Sequence, residues 1–526
     1  MNIIPKPASI TEGVGEFHLT DQTVISSDED AKSIALWVQK FLQKSSGFPL
    51  PIENTVKDDS EENHLTFLLV SNSENIKPEG YKLRINPSRI LIQGIDLAGL
   101  FYGFQTLRQL LPKEIEQNES KNDIKWKIPC VLIEDSPRFS WRGFMLDVGR
   151  HFQPIAQIKK MLDQMALFKM NRFHFHLTED QGWRIQINKY PKLTEIGSKR
   201  NNTKIGGWFS KQYRGQPHEG YYTQGEIQEI VRYAKERFIE VIPEIELPGH
   251  SRAALAAYPK LGCLGTQMEV PAKFGIFHDI YCAGKEETFS FLQDVFDELL
   301  NLFPGTYIHI GGDEAPKKRW KSCPHCQQRI VEENLDDEKD LQTYFVNRMI
   351  DYLTSKGKKV IGWNEILHPN LNPEAVGQWW IGGKKKILPH LRQGRKIIVS
   401  KLTQVYLDYN YVMTPLRKTY ALEPIPSELE PKFHSNILGV ETPLWTEWVP
   451  NKLRFEWQVF PRIIAVAETA WTQKEDKDFQ SFMIRLTSIY HRLTLMGIEP
   501  APLKDVNPKR IKRFLKMHSI GKWPLV

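Results

Sequence analysis

The sequence predicts an α/β chain: a (β/α)8 TIM barrel preceded by a small α+β domain. Two observations carry this. From about residue 136, short apolar runs alternate with segments of helical spacing, and those runs number eight. Each run also ends in polar or aromatic residues, as expected when the strand ends of a barrel form one functional rim.

In chain order, residues 1–135 read as the first domain. Strand-like runs lie at His64–Val70, Tyr81–Ile85 and Arg89–Gln93, and Cys130 reads as a buried strand thiol. From Asp96 to Leu111, apolar residues recur at helical spacing (Leu97, Leu100, Phe101, Phe104, Leu107, Leu110), and Pro112 follows where a helix can stop. A charged linker, Glu114–Lys127, leads on. Its Asn118-Glu-Ser120 is a glycosylation sequon, as is Asn201-Asn-Thr203, but such triplets arise often by chance. The barrel is expected over 136–500, with strands at Trp141–Val148, Arg172–Leu177, Phe238–Ile245, Thr306–Gly311, Lys359–Trp363, Ala375–Trp380, Lys396–Ser400 and Ile437–Leu444. Ile155, Ile158, Leu162 and Met165 mark one intervening helix. Thr223 and Glu226 form a capping box that opens another, and Asp478–Met496 closes the barrel. Residues 501–526 are expected to form a tail packed on it.

Composition narrows the function classes. Of 526 residues, 41% are hydrophobic and 25% charged, a globular balance that excludes a disordered or fibrous chain. No apolar run reaches the length of a membrane span. The net charge of +7 is small for this length, and its densest basic runs, Lys384–Lys386 and Lys509–Lys516, read as solvated faces, so no nucleic-acid partner is expected. Five cysteines are too few for a disulfide scaffold. Cys263 and Cys282 flank one loop. Cys323-Pro-His-Cys326 is a CxxC that zinc, redox chemistry or a disulfide would suit. With only His325 close by and no second CxxC to complete four ligands, a loop staple or two loop thiols is the expected reading. The N-terminus lacks a charged region followed by an apolar one, so no signal peptide is read. A cytoplasmic protein and an exported one whose leader has been removed both fit.

The strand ends point to chemistry. In order they carry Asp147, Arg150 and His151; His174, His176, Glu179 and Asp180; Glu244, Glu246 and His250; Asp313 and Glu314; Trp363, Asn364 and Glu365; Gln378 and Trp380; Tyr406 and Asp408; and Trp445 and Glu447. Twelve of the fourteen tryptophans follow residue 137. Flat indoles suit the C–H faces of a sugar, while carboxylates and Arg suit its hydroxyls. Trp183 and Trp471 read equally well as core filler. Trp363, Trp380 and Trp445, each at a strand end beside a polar residue, do not.

Asp313-Glu314, after an apolar strand and two glycines, is the centre of the pattern. Glycoside cleavage needs a protonated carboxyl at the leaving oxygen and negative charge or a nucleophile at the anomeric carbon. Repulsion between neighbouring carboxylates is expected to raise one of them and keep an acid protonated. An adjacent pair suits an acid plus a group that orients the substrate better than two groups on opposite ring faces. A capping or salt-bridged pair is the structural alternative. His174 and His176, with Glu179 and Asp180, could seed a metal site, but no lysine or further histidine cluster completes one. No phosphate loop, dinucleotide fingerprint or serine-hydrolase elbow is present.

These residues resemble those of a known family. His309-Ile-Gly-Gly-Asp313-Glu314 is similar to the signature of the β-N-acetylhexosaminidases, glycoside hydrolase family 20. The segments 141–151, 176–184, 243–250 and 439–447 look like its further blocks, in its order. Ile4-Pro-Lys-Pro and 99–110 look like its N-terminal domain, so the resemblance covers about residues 3 to 500. It implies an exo-acting, retaining enzyme that removes terminal β-linked GlcNAc or GalNAc from glycans or chitooligosaccharides with the substrate's own acetamido group as nucleophile, an exception to the two-carboxylate scheme. It implies Glu314 as acid and then base, Asp313 as the orienter of the acetamido group and Tyr406 as its hydrogen-bond donor. Trp363, Trp380 and Trp445 would wall the pocket. Arg150, Asp408 and Glu447 would hold ring hydroxyls, and Glu179 and His250 would support Arg150 and the acid. No metal or organic cofactor is implied. Glu179 and Glu246 stand where the family more often has Asp. The 263/282 pair matches a disulfide of some relatives, which favours a periplasmic or secreted protein. Two other readings remain: a two-carboxylate β-glycosidase using Glu314 with Glu365 or Glu447, and a non-catalytic sugar-binding barrel, which the intact Asp313 and Glu314 argue against.

Overall fold

The computed structural model describes residues 1–54, 63–71, 76–117, 119–120 and 123–509. Asn118 of the first sequon, part of the charged linker, the basic run after Lys509 and the tail from 510 onward lie outside them. The chain divides into two compact units. One comprises residues 1–142, 163–170 and 460–502; the other comprises 143–162, 171–459 and the residues after 502.

The first unit holds a seven-stranded sheet in the order β1-β7-β5-β6-β4-β2-β3. Its strands are β1 (Ser9–His18), β2 (Val24–Ser27), β3 (Ile52–Glu53), β4 (His64–Leu69), β5 (Tyr81–Ile85), β6 (Arg89–Gly94) and β7 (Lys127–Asp135). The helix Leu97–Leu110 starts where the Asp96 carboxylate accepts the Gly99 N–H, a side-chain cap that satisfies a free helix-end donor. Its Phe101 and Phe104 rings meet Trp37 edge-on at 5.0 and 5.9 Å, joining it to the helix Lys32–Ser46.

A buried charge fixes this unit. Lys169 is fully buried, and its ammonium reaches Asp135 Oδ2 at 3.1 Å and Tyr81 Oη at 2.8 Å. Asp135 also accepts Tyr81 O–H at 2.7 Å and Trp471 Nε1–H at 2.9 Å. Burial pulls the Lys169 amine below its ordinary value, and Asp135 opposes that pull.

In the second unit, eight parallel strands close a barrel in the order β14-β15-β16-β17-β18-β19-β8-β9. These are β8 (Trp141–Asp147), β9 (Arg172–His176), β14 (Glu240–Leu247), β15 (Tyr307–Gly311), β16 (Lys359–Trp363), β17 (Val376–Trp379), β18 (Ile397–Val399) and β19 (Ile437–Leu444). Two short ladders follow β9: β10 (Thr178–Glu179) with β11 (Gly182–Trp183), and β12 (Lys199–Arg200) with β13 (His218–Glu219). All eight expected barrel strands form, with their ends moved by two residues at most. The expected capping box is present: Thr223 opens the helix Gln224–Lys235, with Ile227, Ile230 and Ala234 buried. Within 503–509, Val506 O accepts the Leu416 N–H at 2.9 Å. Among the described residues no helix is long and apolar enough to cross a membrane.

Breaking a buried ion pair from one side strands a charge. Asp135→Asn should therefore cost about 3–5 kcal/mol. Asp135→Asn combined with Lys169→Met should cost less than Asp135→Asn alone, because both charges are gone. Denaturant melts of the three proteins measure this; a double variant weaker than the single one would show that Lys169 is not the stranded charge.

Candidate active site

Barrel register builds the floor of the site. Asp147 lies opposite His176, His176 opposite Glu244, and Glu244 opposite His309, so polar side chains share one layer at the strand ends. Glu244 is the hub. Its Oε1 accepts from Trp363 Nε1–H at 2.9 Å and pairs with His309 Nδ1 at 2.7 Å; its Oε2 meets His174 Nε2 at 2.9 Å and His176 Nδ1. His174 Nδ1 continues to Glu441 at 2.7 Å, and Gln378 Nε2–H donates to the same oxygen at 2.7 Å. Burial pulls His174 and His176 down, but Glu244 and its neighbours outweigh it and hold them up at about 9 and about 10. Each ring nitrogen of His174 and His176 already faces a carboxylate of this layer.

The polar layer runs on to the acid pair. Glu179 Oε2 meets His176 Nε2 at 3.2 Å and Arg150 Nη2 at 3.1 Å, while its Oε1 meets His250 Nδ1 at 2.7 Å. Asp180 Oδ2 lies 3.2 Å from the same ring nitrogen. His250 Nε2 then faces Asp313 Oδ2 at 3.8 Å and Glu314 Oε2 at 3.6 Å. Burial lowers His250, but Glu179 and Asp180 hold it well above its ordinary value, so an imidazolium faces the pair. Glu179 thus spends both oxygens on protein partners and acts through Arg150 and His250.

The strand β15 ends in a turn that needs its glycines. Gly311 and Gly312 have φ of +65° and +97°. A Cβ on Gly311 would fall 1.8 Å from Glu246 Oε2, and one on Gly312 would fall 2.3 Å from Ile366 Cγ2. Glu314 itself has φ +44°, a conformation costly for a side-chain-bearing residue and found mostly where function holds it. The turn buries Asp313, whose Oδ1 has no hydrogen-bond partner among the described residues, and leaves Glu314 exposed. Burial, more than the charges of Glu365 and Glu314, lifts Asp313 to about 8 against the pull of His250. The sequence reasoning put repulsion first; here desolvation is the larger cause, and Asp313 is the group it lifts. Glu246, also buried, is pushed well above the carboxylate range by burial and by Asp313.

Aromatic side chains gather beside the pair. Trp363 and Trp445 ring centres lie 5.7 Å apart, Tyr406 and Trp445 6.4 Å, and Trp380 stacks on Tyr406 at 6.0 Å. Trp363 is wholly buried, so it forms the floor, while Trp380 and Trp445 are half-buried walls. Trp380 Nε1–H donates to Glu365 at 2.8 Å. The Arg150 guanidinium lies 4.9 Å over the Trp445 ring, 3.5 Å from Asp147 and within the field of Glu447. Burial lowers Arg150, but Glu179, Asp147 and Glu447 keep it charged. Asp408 and Glu447 are half-buried and act together on Tyr409, which burial and these two carboxylates push up to about 12. Arg150, Glu179, His250, Asp313, Glu314, Trp363, Trp380, Tyr406, Asp408, Trp445 and Glu447 thus lie together at one end of the barrel. Sequence reasoning singled out neither Tyr409, one residue past the expected Asp408, nor Glu441, which lies inside a quoted block. Beside Glu314 opens a cavity of about 690 Å³ lined by Ile276, His278, Lys317 and Glu365 among others.

A family model for the glycosyl hydrolase family 20 catalytic domain matches residues 139–474, and one for domain 2 of that family matches residues 1–136. A β-hexosaminidase of Porphyromonas gingivalis is 42% identical over 95% of this chain, which spans 64% of that relative's length. The structure of a GH20 β-N-acetylhexosaminidase from Streptomyces coelicolor superposes with a TM-score of 0.83 at 30% identity, covering 97% of this chain and 99% of that one. That of a GH20 exo-β-N-acetylglucosaminidase from Vibrio harveyi, in complex with N-acetylglucosamine, gives 0.83 at 29% identity, covering 95% of this chain and 78% of that one. With two family models covering nearly all of its length and with the barrel and site just described, the chain belongs to glycosyl hydrolase family 20 and is a glycoside hydrolase.

Proposed function

We propose that the chain is an exo-acting, retaining β-N-acetylhexosaminidase that removes terminal β-linked GlcNAc or GalNAc from glycans or chitooligosaccharides by substrate-assisted catalysis. The observation that carries this reading is the unequal placement of two adjacent carboxyls. Asp313 is buried with one oxygen unpartnered among the described residues, within the field of Tyr406, and Glu314 faces the open cavity. The V. harveyi relative's bound N-acetylglucosamine supports the sugar assignment.

In this mechanism Glu314 gives its proton to the glycosidic oxygen. The acetamido carbonyl oxygen attacks the anomeric carbon as that bond breaks, forming an oxazolinium ion. Asp313 accepts the acetamido N–H and balances the positive charge, and the Tyr406 hydroxyl donates to the acetamido oxygen. Glu314 then takes a proton from water, which attacks the anomeric carbon from the vacated face and restores the β configuration. Trp363, Trp380 and Trp445 enclose the acetamido methyl and the ring, and Arg150, Asp408 and Glu447 hold hydroxyls. Closing that end of the pocket makes the cleavage exo-acting.

The proton has to be in the right place first. In the free site burial parks it on Asp313. The arriving acetamido N–H needs that carboxyl ionised, so Asp313 has to give up its proton as the acetamido group binds. Asp313 keeps that proton below about pH 8 and is ionised above it. The kcat/KM profile should therefore show a titration near pH 8, with activity rising as Asp313 ionises, since that ratio reports the free enzyme, and that titration should vanish in Asp313→Asn. A titration unmoved in the variant would refute its assignment to Asp313.

Release of p-nitrophenol from the β-GlcNAc, β-GalNAc and β-glucoside substrates tests the nucleophile. Only the acetamido sugars should be cleaved; comparable glucoside cleavage would hand the role to Glu365 or Glu447. Glu314→Gln should slow substrates with poor leaving groups by about 10²–10⁴-fold and aryl glycosides much less. Asp313→Asn should slow both by about 10²-fold or more. Equal losses on both substrate kinds in Glu314→Gln would remove its assignment as the acid.

A further inference from the structure

Four of the five cysteines, distant in sequence, meet at one point in the barrel unit. Cys282 Sγ lies 3.5 Å from Cys326 Sγ and 3.7 Å from Cys323 Sγ, and Cys263 Sγ lies 3.8 Å from Cys326 Sγ. All four sulfurs fall within 4.8 Å of one another. Cys282, Cys323 and Cys326 are buried and Cys263 half-buried, and all are free thiols. A tetrahedral ion with metal–sulfur bonds of ~2.3 Å has sulfur–sulfur edges of about 3.8 Å, and the three distances match those edges.

The backbone is shaped for this meeting. Gly262 bridges Tyr281, and Cys282 N–H donates to Leu261 O at 2.9 Å, which sets Cys263 and Cys282 side by side. The CxxC sits where the helix Lys318–Ser322 turns into Pro324–Glu332, with Pro324 starting the second helix. Trp320 Nε1–H donates to Tyr281 O at 2.8 Å and ties that turn to the first pair. Gly284 lets the halves touch: a Cβ there would fall 2.1 Å from the His325 carbonyl carbon. Lys285 Nζ donates to Lys260 O and Gly262 O, both at 2.8 Å, and so braces the turn that leads into Cys263.

We propose that Cys263, Cys282, Cys323 and Cys326 form a structural zinc site. The ligand is a borderline-soft divalent cation that four thiolates select and close completely, leaving no open position for chemistry. Binding Zn²⁺ takes the four cysteines as thiolates and releases their protons. The site joins the segment after β14 to the segment after β15. The first carries Ile276 and His278, and the second carries Glu314 and Lys317, all lining the same cavity. Asp279 adds a second tie, reaching Arg252 and Arg319 at 2.8 Å each. The ion therefore holds the wall beside the acid in place without touching substrate.

Elemental analysis of the full chain, purified under reducing conditions without a metal-chelating column, tests this directly. About one zinc per chain is expected, released on titration of the thiols with an organomercurial. Replacement by Co²⁺ should give the intense spectrum of a tetrahedral tetrathiolate. Cys323→Ser with Cys326→Ser should lose the metal and melt at lower temperature. Should that variant fail to fold, the wild-type metal content and cobalt spectrum decide alone. Wild-type protein that takes up neither zinc nor cobalt, two disulfides linking the four cysteines, or zinc retained by the double serine variant would each overturn the site.

Discussion

The hydrogen-bonded hold of one buried carboxylate, Glu244, governs the site. It meets three imidazoles and an indole at the barrel's rim end. A carboxylate taken from water loses several kcal/mol of solvation unless such partners replace it. Here the imidazoles do so, and desolvation, which alone would raise Glu244, is outweighed by His309, His176 and His174; of the three, His174 and His176 are held up while burial pulls His309 down. The cost of burial thus becomes a geometric constraint. No ring in the set can rotate without stranding a charge, so Trp363 and His176 stay fixed, and through His176 so does Glu179.

From Glu179 the constraint passes outward. Arg150 and His250 each use one of its oxygens. The residue that grips a sugar hydroxyl in the proposed mechanism and the residue that faces the acid pair therefore share a support. Glu246 lies beneath Gly311, where its nearest oxygen already occupies the space a Gly311 Cβ would need. The Glu246 side chain and the glycine turn are one accommodation: the turn exposes Glu314 and buries Asp313 only while position 311 stays bare.

Much of this was legible in the sequence because barrel strands are buried on both faces and read as apolar runs, such as Ile437–Leu444. The residue types at the strand ends were legible for the same reason, since the runs stop where function begins. The strand Ser9–His18 was not, because only Phe17 in it is buried and no alternation marks it. Nor was the helix Lys32–Ser46, which begins at Ala31 with no side-chain cap to announce it. Pairings were out of reach: His174 meets Glu441 across 267 positions, and Cys263 meets Cys326 across 63. The CxxC read as an incomplete ligand set because its other half is not a second CxxC but two cysteines brought together by the Gly262–Tyr281 bridge.

The protonation of Asp313 shows why spacing alone misjudges such a site. Adjacency suggests repulsion, which would act on either carboxyl. Burial breaks that symmetry, because the turn after β15 sends one side chain inward and the other outward. His250 opposes the result, and its own charge depends on Glu179 and Asp180. Asp313 is therefore held between desolvation, which favours the proton, and an imidazolium, which disfavours it. A carboxyl balanced in this way stores a proton in the free site and yields it when an amide N–H arrives, because the incoming hydrogen bond favours the ionised form.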